Sequence, residues 1–211
     1  MLSTFRRVLV LCAHTDDEFG CAGTVGRLTD AGAHVRYLAL SDCAASVPAG
    51  FPADVLRAEC AACTAALGIA PADAEVGPFE VRHFPRDRQD ILERLVGLQR
   101  EFRPDLVLLP ASSDTHQDHE VVAREGFRAF KQSTVLGYEL PQNLVSFHNS
   151  AFVALDEAAI ARKVSALAHY ASQASRPYST EAFLRGLGVV RGVQAGAPFA
   201  EAFEVVRLLL P

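Results

Sequence analysis

Four side chains able to bind a metal or move a proton, His14, Asp16, Asp17 and Glu18, fall within five residues directly after the apolar run Val8-Leu9-Val10-Leu11-Cys12-Ala13. A second set, His116, Asp118 and His119, lies shortly after the apolar run Leu106 to Pro110. Imidazole nitrogen and carboxylate oxygen are the usual zinc donors, and a catalytic zinc takes three of them and leaves the fourth position to water. His14, Asp17 and His119 supply such a set. Asp16 and His116 are then free as proton-transfer groups beside the ion. Carboxylates ahead of a helix can serve as mere caps, and a lone histidine is more often a core or surface residue. Two clusters, each behind a hydrophobic strand, favour the chemical reading.

The elements that must position these residues are legible in outline. Apolar runs without alternation fit strands buried on both faces of a parallel sheet, and sites in open α/β sheets lie at the carboxyl ends of strands. Residues 20–31 read as a helix closed by Gly32, followed by a strand over 35–40. The intervening glycines fall as G-x-x-G-x-x-G, which gives poor support for a dinucleotide site. Pro48, Gly50 and Pro52 mark a loop over 41–53, the kind that shapes a pocket. A helix is expected over 53–67, ended by Gly68, then a short strand over 81–84 and a helix over 90–102. A helix over 120–130 puts His119 in or just before its first turn, where the positive end of the helix favours the neutral, ligating imidazole. Strand-like segments fall in 144–155, and Asp156 can cap a helix over 157–170. The glycine-rich stretch 186–196 reads as a loop, and 203–208, with mixed patterning, as a last strand at an edge. The expected fold is α/β: one Rossmann-like domain over 1–211, with a mainly parallel sheet flanked by helices.

Composition narrows the classes. Half of the 211 residues are hydrophobic, enough for one sizeable core. A net charge of −5 and the lack of a Lys/Arg-rich run disfavour nucleic acid and anionic membrane as partners. The cysteines (Cys12, Cys21, Cys43, Cys60, Cys63) are odd in number and follow no disulfide spacing, which points to a reducing cytoplasm. Cys60 and Cys63 read as packing residues, since a zinc ribbon needs a second such pair. Arg6 and Arg7 ahead of an apolar run imitate a leader, but the run ends too soon, and no stretch is long enough to span a membrane.

Ala13-His14-Thr15-Asp16-Asp17-Glu18 resembles the A-H-P-D-D-E signature of the LmbE/PIG-L family of zinc-dependent de-N-acetylases, and His116-Gln117-Asp118-His119 resembles its H-x-D-H partner. Thr15 and Gln117 stand where the family usually has Pro. Arg57 and Glu59 with Leu67-Gly68 are similar to its first long helix. Lys163, Ala166, Tyr170, Ser172 and Gln173 are similar to its late helix, and Arg191-Gly192 with Phe199 to Phe203 to its closing strand.

The resemblance implies zinc as cofactor, and a division of labour in which Asp17 binds the metal while Asp16 takes the proton of the attacking water. His116 is the candidate for holding the oxyanion and protonating the leaving nitrogen, with Asp118 orienting it; whether Asp16 or His116 delivers the final proton is open at this stage. Arg57 can reach a polar substrate or be a solvated helix residue. The substrates implied are small N-acetylglucosamine-type acetamido sugar conjugates, and the family often assembles as homo-oligomers. The alternatives are another amide, such as an N-formyl sugar or thiol conjugate, a Mg²⁺ phosphohydrolase built on Asp16 or Asp17, and a non-catalytic sugar-binding protein.

Overall fold

Alternate residues of the first strand, β1 (Arg7–Cys12), are buried on opposite faces of a sheet in the computed structural model, which describes residues 2–209. Val8, Val10 and Cys12 join one apolar core, and Leu9 and Leu11 join the other. That is why the run shows no polar alternation: neither face meets water. The other strands are β2 (His34–Ala39), β3 (Ala74–Val76), β4 (Leu106–Pro110), β5 (Thr134–Tyr138), β6 (Ala151–Leu155) and β7 (Phe199–Arg207), in the order β3-β2-β1-β4-β5-β7-β6. The first five in this order are parallel, and β7 pairs antiparallel with both β5 and β6.

Six α-helices cover the sheet among the described residues: α1 (Ala22–Asp30), α2 (Val55–Ala66), α3 (Arg88–Phe102), α4 (Gln117–Ala129), α5 (Glu157–Leu167) and α6 (Glu181–Ala195). Val25, Leu56, Cys60, Leu167 and Leu184 bring α1, α2, α5 and α6 onto the face of Val8 and Val10. Ile91, Leu95, Val121 and Val122 bring α3 and α4 onto the face of Leu9 and Leu11. Each such side chain contributes about 1.5–3 kcal/mol on leaving water. The chain runs from β1 to β2 on one side, while β4 lies on the other side of β1, so a crevice opens above the carboxyl ends of β1 and β4. Both histidine clusters follow those two strand ends.

Several expectations change. Residues 186–196 are not a loop; they belong to α6, which ends at Gly196 in the left-handed region (φ 66°). The glycines serve close packing, because a Cβ on Gly192 would lie 2.6 Å from the Ala197 carbonyl oxygen. Residues 81–84 form turns rather than a strand, and β3 and β5 are strands the sequence reading passed over. Of 144–155 only 151–155 is a strand. β7 is interior, not an edge: it begins at Phe199 and carries partners on both sides. Its polar residues have protein partners in place of water. Glu201 accepts hydrogen bonds from the Gly23 and Thr24 N–H groups (2.9 and 2.6 Å) and pairs with the buried Lys163 ammonium at 2.7 Å. It thereby caps α1, whose own N-cap residue makes no side-chain bond. All five cysteines are buried and free, and no helix among the described residues is long and apolar enough to cross a membrane.

Candidate metal centre

The turn that leaves β1 is short. The His14 N–H donates to Asp17 Oδ2 at 2.8 Å, and residues 17–20 form a 3-10 turn before α1. From beneath, the Tyr37 and Tyr170 hydroxyls contact the Thr15 carbonyl and the two oxygens of the buried Glu18 carboxyl. Burial holds that carboxyl up to about 7. Across the crevice, His116 is the N-cap of α4 and His119 sits in its first turn. Asp114, just after β4, accepts from the His116 N–H at 2.8 Å.

These two turns bring three donor atoms together. His14 Nδ1 and His119 Nε2 are 3.0 Å apart, His119 Nε2 and Asp17 Oδ1 3.4 Å, and His14 Nδ1 and Asp17 Oδ1 3.6 Å. Donors at about 2.0–2.2 Å from a tetrahedral zinc stand about 3.3–3.6 Å from one another. Two sides of the triangle match, and the third, between the two imidazoles, has to open by a few tenths of an ångström to admit the ion. Both histidines are also held from behind: His14 Nε2 meets Asp118 Oδ2 at 3.0 Å, and His119 Nδ1 meets Asp114 Oδ2 at 2.7 Å. Such carboxylates fix the ring and its tautomer, leaving the other nitrogen for a metal. Asp114 was not singled out from sequence; its only local signal is a carboxylate two residues before His116. His116 adds a third imidazole, and the cluster His14, His116, His119 offers one nitrogen each within 4.8 Å.

Asp118 departs from its expected role. Its carboxylate holds His14 and accepts the Arg82 and Phe84 N–H groups at 2.6 and 3.2 Å, and so does not orient the His116 ring. Only its backbone reaches His116, donating to Nδ1 at 3.2 Å. That bond leaves the proton of the neutral ring on Nε2. Arg57 also departs. It forks onto Asp42 at 3.1 and 2.9 Å and donates to the Val76 carbonyl at 3.1 Å, and it does not line the cavity over the histidines.

The electrostatics suit a cation. Burial opposes a charged His14, but Asp17 and then Asp118 outweigh it and raise its pKa to about 9. Burial likewise opposes a charged His119, and Asp17 with Asp114 raises it to about 10. The helix end expected to keep His119 neutral is thus overridden by two adjacent carboxylates. Despite burial, the two histidines hold Asp17 well below the usual carboxylate range. Burial and the neighbouring Asp17 charge push Asp16 up to about 6, while burial, His119 and His14 push His116 down to about 4. The outer nitrogens face carboxylates, and the inner nitrogens face each other at 3.0 Å. Metal uptake is expected to release protons from the inner nitrogens, and affinity to climb with pH until those nitrogens are bare. Calorimetry in buffers of different ionisation enthalpy reads the release; uptake with no proton released refutes protonated inner nitrogens.

A cavity of about 300 Å³ stands over the centre, lined by Asp16, His116 and, further out, Arg82, Asn143, Gln173 and Tyr178. Ser172 ties one wall to α2, donating from N and Oγ to the buried Glu59 at 2.8 and 2.6 Å.

Comparison with solved structures confirms the architecture. N,N'-diacetylchitobiose deacetylase from Pyrococcus horikoshii superposes with a TM-score of 0.80 at 19% identity, over 95% of this chain and 83% of that one. The 4-carboxy-2-hydroxymuconate hydratase GalB from Pseudomonas putida KT2440 gives 0.78 at 20% identity, over 98% of each chain. A zinc-inhibited form of the teicoplanin deacetylase Orf2 gives 0.75 at 18% identity, over 93% and 96%. At these identities the likeness establishes the fold. The model of the PIG-L family, described as GlcNAc-PI de-N-acetylase, matches residues 9–130, more than half of the sequence and every donor atom of the centre, and the chain belongs to that family.

Proposed function

We propose that the protein is a zinc-dependent hydrolase that removes the N-acetyl group from a small acetamido sugar conjugate, giving a free amine and acetate. The observation that carries this reading is the convergence of His14 Nδ1, His119 Nε2 and Asp17 Oδ1 at the floor of a cavity also lined by Asp16, a carboxylate outside the donor triangle. An amide resists water because water is a weak nucleophile and the amine a poor leaving group. A bound zinc supplies Lewis acidity and lowers the pKa of a water to about 7.

The residues do the rest. Asp16, with its pKa near 6, is the base that takes a proton from the attacking water. His116 is neutral at working pH, and its Nε2–H is a donor for the oxygen on which charge develops. Once protonated, Asp16 is the group that returns the proton to the nitrogen as the C–N bond breaks; a His116 held near 4 has none to give. Asp118 and Asp114 keep the two ligating rings aimed. Free, buried cysteines suit a reducing cytoplasm.

One observation favours a second reading: a hydratase shares the whole fold. Zinc-loaded protein incubated with a panel of acetamido sugars separates the two. Acetate and primary amine, released in equal amounts and abolished by chelator, support deacetylation. No acetate from any of them, with water added to an unsaturated acid, overturns it in favour of hydration.

A further inference from the structure

Arg82 and Arg176 both line the cavity over the histidines, and among the described residues neither guanidinium has a carboxylate partner. We propose that these two arginines bind an anionic group, a carboxylate or a phosphate, on the substrate, so that the preferred substrate is an acidic acetamido compound. This rests on the deacetylase reading for the acetamide part alone.

Three features support it. The carboxylates lining the cavity are Asp16 and Asp17, both at the metal centre, so the outer part presents positive charge in a chain whose net charge is −5. The Arg82 side chain is held by a single neutral partner, Ser46 Oγ at 3.0 Å, which leaves most of its donors free. A guanidinium fork matches the paired oxygens of carboxylate and phosphate.

The backbone of Arg82 is the most specific sign. It sits at φ 72°, in the left-handed region that a non-glycine residue occupies only when its surroundings hold it there. What holds it is Asp118, which accepts the Arg82 N–H at 2.6 Å and also fixes His14 at 3.0 Å. One carboxylate thus positions both a metal-binding ring and the arginine beside it. Arg176 comes from a later segment of the chain, two residues before Tyr178, whose ring stacks on Phe19 at 5.3 Å. Arg57, already forked onto Asp42, is not available for this role.

The test reads binding, and every protein compared carries Asp16→Asn so that no sugar is turned over during the titration. Zinc-loaded protein is titrated by calorimetry with N-acetylglucosamine, with its 6-phosphate and with N-acetylmuramic acid, which carry no charge, a phosphate and a carboxylate. At least one acidic sugar is expected to bind roughly 10-fold or more tightly than the neutral one, with the advantage shrinking as salt rises. Arg82→Asn, a residue that tolerates the left-handed backbone, combined with Arg176→Gln is expected to bring the acidic sugars down to the neutral sugar's affinity. Equal affinities in the protein that keeps both arginines, or a preference that survives when both are replaced, overturn the proposal. Which acidic sugar gains tells phosphate from carboxylate, and the acetate assay separately decides whether the deacetylase reading holds.

Discussion

Asp16→Asn is expected to keep the metal and lose about 10²–10⁴-fold in kcat. The amide preserves shape and hydrogen bonding but cannot take a proton, and Asp16 lies outside the donor triangle, so the ligands are untouched. The pH dependence follows from the same residue. A carboxylate acts as base only when ionised, so kcat/KM should rise with pH through an acid limb at or below about 6, the value to which burial and Asp17 raise it. A bound cation favours the ionised form and moves the limb lower still. The variant should lack that limb. A pH-rate profile with metal analysis checks both, and near-normal turnover in the loaded variant would remove Asp16 from the chemistry.

The second large effect is on the ion itself. His119→Ala removes one corner of the triangle and leaves Asp114 and Asp17 facing each other without the imidazole between them. The variant should lose its metal during gel filtration, and turnover should fall to background. Asp118→Asn weakens the support behind His14 and the hold on the Arg82–Phe84 turn without touching a donor, and should weaken metal affinity by about 10–100-fold. Metal content per chain after equilibration against a buffered zinc series separates the two. A stoichiometric, fully active His119→Ala protein would exclude that ring as a ligand.

What could be read from the sequence was what is written locally. The runs Val8 to Ala13 and Leu106 to Pro110 announce doubly buried strands because no residue in them has to meet water, and the histidines follow directly. The ring-holding role of Asp118 was not legible, since a carboxylate one residue from His119 and two from His116 gives no sign that it reaches a third histidine over a hundred positions away. Asp114 and Arg82 were passed over for a similar reason: each is defined by what the fold sets opposite it. Gly186, Gly188 and Gly192 suggested a loop because glycine also marks turns, whereas Gly192 sits where the following chain passes too close for a side chain. The last strand looked like an edge because Glu204 and Arg207 interrupt the apolar pattern of 203–208, yet Ser112 donates to the first and the second donates to the Phe130 carbonyl.

The donors that face the ion, and the carboxylates behind them, all lie between residues 14 and 119, whereas Gln142, Asn143, Gln173, Arg176 and Tyr178 form one side of the cavity from a later part of the chain. The ion's donors are in this respect written in one passage of the polypeptide, and part of the rim that faces a substrate in another, with Arg82 as the exception. Exchange of the rim positions 142, 173, 176 and 178 between relatives is therefore a route by which one scaffold takes a new compound in small genetic steps while the donor triangle stays in place.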